Sequence, residues 1–121
     1  MAWLALAGAL GTLCRYGLTG LVQNMCGESF PWGTQAVNAT GCLLFGVVWT
    51  LAEDHFLISG HTRFIVLTGF MGAFTTFSTF AFETGAFLRD AEWLLASLNL
   101  IGQNLLGLAC VLLGLALGRL L

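Results

Sequence analysis

The sequence predicts an all-α integral membrane protein with four transmembrane helices, the third of them broken near mid-membrane. Hydrophobic residues make up 58% of the 121 residues and charged residues 8%, with a mean hydropathy of +0.90, outside the mixed balance of a soluble domain. A spanning helix needs about 20 mostly apolar residues. Four such runs, about 2–22, 33–52, 64–87 and 93–117, fill the chain. Residues 69–83 read GFMGAFTTFSTFAFE, which puts glycines, hydroxyls, phenylalanines and a carboxylate where a simple anchor would carry leucine. Residues 1–121 are therefore read as one four-helix transmembrane domain, with its function inside the membrane.

The first run is long and has no basic leader, so it is expected to be a span rather than a cleaved signal. Ala7 and Gly11 form a small-xxx-small pair that allows close approach of a neighbouring helix. Arg15 and Tyr16 lie in its second half. An arginine at helix centre costs about 2.5–3.5 kcal/mol on insertion scales. Snorkelling to the interface and an anion-attracting vestibule are both open readings for Arg15. Pro31 suits a break before the second run. There Thr34, Asn38 and Gly41 or Cys42 fall on one helical stripe. An intramembrane asparagine commonly bonds another helix, for about 1 kcal/mol, but its NH2 group equally offers donors to an anion.

His55 and His61, between the second and third runs, match no metal motif and are expected to be solvated loop histidines. In hydrocarbon, an irregular helix is tolerated only where protein or a wet cavity receives its freed backbone groups. Gly69 and Gly72, followed by Thr75, Thr76, Ser78 and Thr79, therefore predict a break in the third helix. Hydroxyls that bond back to their own helix, and glycines that serve packing, are the plain alternative for any one of these residues. Four hydroxyls in five positions with phenylalanine between them favour a lined pathway or ion site. Glu83 needs a partner or a wet cavity at its depth, and Trp93 suits an interfacial anchor.

In the fourth run Asn99 and Gln103 share a face, expected to meet the pathway or a partner subunit. Gly114 and Gly118 form a GxxxG packing pair. Cys14, Cys26, Cys42 and Cys110 show no CxxC pairing, and the three within spans are read as small apolar residues. The chain has four arginines and no lysine. Arg63 and Arg119 fall on the side of the termini, Arg89 and a snorkelling Arg15 on the other. The positive-inside rule then prefers neither orientation, which predicts insertion both ways and antiparallel pairing.

Three motifs resemble the Fluc (CrcB) fluoride channels of prokaryotes along nearly the whole chain: GxxGxxxRY (Gly8, Gly11, Arg15, Tyr16), GTxxVNxxG (Gly33, Thr34, Val37, Asn38, Gly41) and GFMGAFTTFSTF. The resemblance implies a passive fluoride-selective channel that protects the cell from fluoride. It also implies an antiparallel dual-topology homodimer with two pores, multi-pass in the inner (plasma) membrane. By motif position Phe77 and Phe80 match the family's pore phenylalanines, and Asn38 its pore asparagine. Ser78 and Thr79 match a hydroxyl track, with Thr34 beside it, Glu83 a pore-associated glutamate, and Arg15 the first-helix arginine. The carbonyls of Gly72 and Thr75 match a central structural sodium ion at the dimer interface. Asn99 and Gln103 stand where the family often has a tyrosine and a hydroxyl residue.

The chemistry is coherent with that resemblance. Fluoride is compact and strongly hydrated, so a pore must replace its water with small donors, and phenylalanine adds a positive ring edge. The chain is read as a transport protein, not an enzyme. A small dual-topology proton-coupled drug exporter is the alternative, although Glu83 is the one carboxylate within a span. A non-transporting membrane scaffold would not need the mid-membrane hydroxyls and amide.

Overall fold

A computed structural model describes all residues from Met1 to Leu121. Four helices are long and apolar enough to cross a membrane: α1 (Ala2–Cys26), α2 (Trp32–Glu53), a bent third span (Gly60–Arg89) and a final helix (Trp93–Leu120). The third span consists of α3 (Gly60–Phe64), a π-helical stretch (Ile65–Met71), α4 (Gly72–Phe74) and α5 (Phe77–Arg89), and the final helix is α6. Only Thr75 and Thr76 leave the helix within that span, close to its midpoint.

Each helix runs slightly past its expected end, because polar residues at the ends find partners. α1 continues through Gln23 until Gly27 takes φ 92°, a conformation open to glycine without a Cβ penalty. The Gln23 amide then holds the turn. Its Nε2 donates to the carbonyls of Gly27 and Phe30, and its Oε1 accepts the Gly33 N–H at 3.0 Å.

Little of the chain is enclosed: 21 of 121 residues are buried, so the contacts that exist are close ones between backbones. α2 and α6 pack through glycines. A Cβ on Gly46 would stand 2.5 Å from the Val111 carbonyl oxygen, and one on Gly114 would run into the Leu43 carbonyl. In lipid, where apolar burial supplies no drive, such close approach and interhelical hydrogen bonds hold helices together. Thr50, fully buried in this interface, donates to the Gly46 carbonyl at 3.0 Å. The GxxxG pair thus serves packing, as its spacing predicts.

His55 departs from its expected solvation. Its Nε2 lies 2.8 Å from the Gly118 carbonyl, so the ring bonds a carbonyl in the last turn of α6, whose other partner is the Leu121 N–H at 3.3 Å. On the opposite side of the bundle α1 lies against the π-helical stretch, with Gly69 beside Ala7 and Gly11 against the Phe70 carbonyl. Val37, Leu67, Met71 and Phe74 form the small apolar core under this contact. After the break, α5 turns away from α1 and packs on α6.

Candidate functional site

The break is built by its own side chains and by one amide from α2. Thr75 and Thr76 are extended (φ/ψ −88°/159° and −148°/114°), a region β-branched residues favour. Thr76 is also the N-cap of α5, and its Oγ1 accepts the Thr79 N–H at 3.2 Å, the role for which threonine is suited. Asn38 supplies the acceptor that a continuous helix would have given the Thr76 N–H. Its Oδ1 accepts the Thr76 N–H at 2.8 Å and its Nδ2 donates to the Thr76 carbonyl at 3.1 Å. Gly41, one turn further along α2, leaves the space that the Thr75 methyl fills.

These bonds release two carbonyls. The Thr76 N–H, which would close the next helical turn on Gly72, goes to Asn38, and the Thr79 N–H, which would reach Thr75, goes to Thr76 Oγ1. Freed carbonyls at the end of a broken helix suit a hard cation. Gly72 and Thr75 are the two residues expected to offer such carbonyls. At the same point α5 begins, and its N-terminal N–H groups present the positive end of a helix dipole.

Two cavities flank Thr76. The first, about 410 Å³, gathers Asn38, Gly72, Thr75, Phe77, Phe80 and Gln103. The second, about 650 Å³, is lined by Arg15 and Tyr16 and by Thr12, Thr19, Thr34 and Thr79. Thr76 lines both. Phe80 is 7% exposed and Phe77 77% exposed. Their centroids are 5.6 Å apart with planes at 61°, so one ring presents its edge to the other. Arg15 is half-buried, and its Nε is enclosed without a hydrogen-bond partner. A guanidinium left short of partners beside a threonine-rich cavity is a ready anion donor.

Glu83 finds the partner its depth demands: the Thr34 hydroxyl, itself buried, donates to its carboxylate at 2.6 Å. Thr79 Oγ1 accepts from Thr76 Oγ1 at 2.9 Å, while Ser78 is exposed and only 3.5 Å from Thr76 Oγ1. Thr75 follows the plain alternative, its hydroxyl bonding back to the Met71 carbonyl at 3.0 Å.

Asn99 and Gln103 share a face of α6 but part company. Gln103 Oε1 accepts the second N–H of Asn38 at 3.1 Å and borders the first cavity. Asn99 is fully buried against α5 instead, where its Nδ2 donates to Thr84 Oγ1 at 2.9 Å and Thr84 donates to the Phe80 carbonyl at 2.9 Å. Its place is thus behind Phe80, outside the lining of both cavities. The sequence reading gives no role to Thr84. Its one signal was a hydroxyl four residues after Phe80, a spacing that also fits simple back-bonding.

Comparison with known proteins adds an independent line. The sequence profile of the family described as "CrcB-like protein, Camphor Resistance (CrcB)" matches residues 2–115. The chain is 68% identical over 121 residues to a protein of Nitrosococcus oceani named "Fluoride-specific ion channel FluC", covering 100% of this chain and 97% of that one. It is 53% identical over 121 residues to the protein of the same name from Solidesulfovibrio magneticus, with the same two coverages, 100% and 97%. Against that from Magnetococcus marinus it is 40% identical over 121 residues, covering 100% and 98%.

Proposed function

The chain belongs to the CrcB family, and on that premise we propose that it is a fluoride-selective channel, multi-pass in the bacterial inner membrane, that drains cytoplasmic fluoride passively. The observation that carries this reading is the capped break at Thr75–Thr76, with an amide, threonines and an edge-on phenylalanine pair on one side and a threonine-rich arginine vestibule on the other. An inside-negative membrane drives an anion outward by about 2.3 kcal/mol per 100 mV. Neutral HF enters across lipid from an acid exterior and releases fluoride inside, and the potential then removes it without a pump.

Arg15 raises the local anion concentration at the vestibule. Thr79, which accepts from Thr76 and so keeps its own proton free, replaces water as a donor beside Thr76, with Ser78 exposed beside it. Phe77 and Phe80 offer ring edges past the break, and Asn38 anchors the whole arrangement to α2. Glu83, bonded to Thr34, fixes that hydroxyl at the edge of the vestibule. Asn99 acts through Thr84 on the backbone of Phe80.

The working unit is an antiparallel dual-topology homodimer, in keeping with the even split of the four arginines and the many apolar side chains left exposed on one chain. The carbonyls of Gly72 and Thr75 would hold a structural sodium ion at its centre, and their lost helical partners fit them for it. The ion would supply positive charge that ties the break in place.

Expression in a bacterium lacking fluoride export tests the activity. Growth in millimolar fluoride at acid pH is the expected result, and unchanged sensitivity from protein present in the membrane would count against it. Cysteine tags at both termini test the topology: labelling from both sides of the membrane is expected, and one-sided labelling would rule out dual insertion.

A further inference from the structure

Asn38 has no free donor in this structure. One N–H of its amide is held by the Thr76 carbonyl and the other by Gln103 Oε1, each at 3.1 Å. Its orientation is forced, since its own Oδ1 already accepts the Thr76 N–H. Gln103 must therefore turn its oxygen toward Asn38, and its Nε2 is left buried without a partner. A buried donor left unsatisfied is costly, and buried polar groups are otherwise almost always paired.

We propose that Asn38 and Gln103 form a fluoride subsite that opens by a half-turn of the Gln103 amide. The terminal torsion of glutamine is broad and two-fold, so the side chain exchanges Oε1 for Nε2 without moving α6. In the closed arrangement Oε1 occupies the Asn38 donor. In the open one both amides aim an N–H at the same point of the first cavity, an arrangement of two like donors that is stable only with an anion between them. Fluoride then satisfies the donor the closed arrangement leaves orphaned, and Oε1 takes the unpartnered place, which an under-satisfied carbonyl tolerates better than an N–H. Thr76 keeps Asn38 in place throughout, so only Gln103 moves.

This inference rests on the channel reading, and two measurements on reconstituted full-length protein separate them. Fluoride efflux from proteoliposomes is measured for the wild type, Gln103→Glu and Gln103→Met. Gln103→Glu still accepts from Asn38 but offers no donor and adds a charge, so efflux falls at least 100-fold. Gln103→Met removes both blocker and donor, and efflux falls tenfold or less. A residue that only tied α2 to α6 would give the reverse order, and that order would overturn the proposal. The side-chain amide ¹⁵N–¹H resonances of Gln103 and Asn38 are then followed in the wild type during titration with sodium fluoride and, separately, sodium chloride. Both resonances shift with fluoride and neither with chloride. If the wild type conducts and neither resonance moves, the amide turn is wrong while the channel reading stands. If the wild type passes no fluoride, both fall together.

Discussion

The α2–α6 interface and the break at Thr75–Thr76 are made from the same small, weakly polar residue types, yet one closes and the other opens. At Gly46, Gly114 and Thr50 backbone meets backbone, and the one hydroxyl bonds back to its own helix at 3.0 Å while reaching the Leu115 carbonyl of α6 at 3.4 Å. At Gly41, Thr75 and Thr76 the helix is interrupted, and an amide from another helix takes its backbone groups. Small residues permit close approach in both places. What separates them is a long polar side chain opposite, able to replace helical hydrogen bonds. Asn38 stands opposite the break, and nothing comparable stands opposite Gly114.

Five substitutions break or sharpen that contrast. Asn38→Asp has the largest expected effect, because it removes both donors and sets a carboxylate against two carbonyl oxygens. Fluoride flux should fall at least about 100-fold, a barrier rise of only about 2.7 kcal/mol, and wild-type flux would free Asn38 from the site. Phe80→Ile removes the ring edge and leaves an apolar side chain of moderate size. A loss of about tenfold in flux, about 1.4 kcal/mol, is expected, and an unchanged rate would return Phe80 to packing alone.

On the closed side, Gly114→Leu forces a side chain into the Leu43 carbonyl. It should cost about 1–3 kcal/mol of stability, seen as earlier thermal unfolding in detergent. Gly17→Leu, where nothing lies within 4 Å, should stay within about 0.5 kcal/mol. Equal effects from the two glycines would remove the basis for calling α2–α6 a close-packed interface. His55→Ala falls between those two glycines. It deletes one hydrogen bond to the end of α6, for about 0.5–1.5 kcal/mol, with flux unaltered; no change in unfolding temperature would mean that water replaces the ring.

The four spans and the interruption were legible in the sequence because hydropathy and hydroxyl clustering are properties of contiguous residues. The depth of Glu83 announced a partner, but not that Thr34, 49 positions earlier, would supply it. Likewise the stripe of Thr34 and Asn38 could be read along α2, whereas the bonding of Asn38 to the backbone of Thr76 could not. Partner choice across helices depends on crossing angles and depth, for which local spacing carries no code. The same gap parts Asn99 from Gln103, which share a helix face yet bond to different helices. His55 misled because a histidine among polar residues looks solvated until a helix end is brought beside it.

The most direct test is passive anion efflux from liposomes holding the purified protein, with fluoride and chloride followed under the same outward gradient. Rapid fluoride loss with chloride retained is the predicted result. Fluoride held inside by folded, reconstituted protein, or chloride released at the same rate, would contradict a fluoride-selective pore at the Thr76 break.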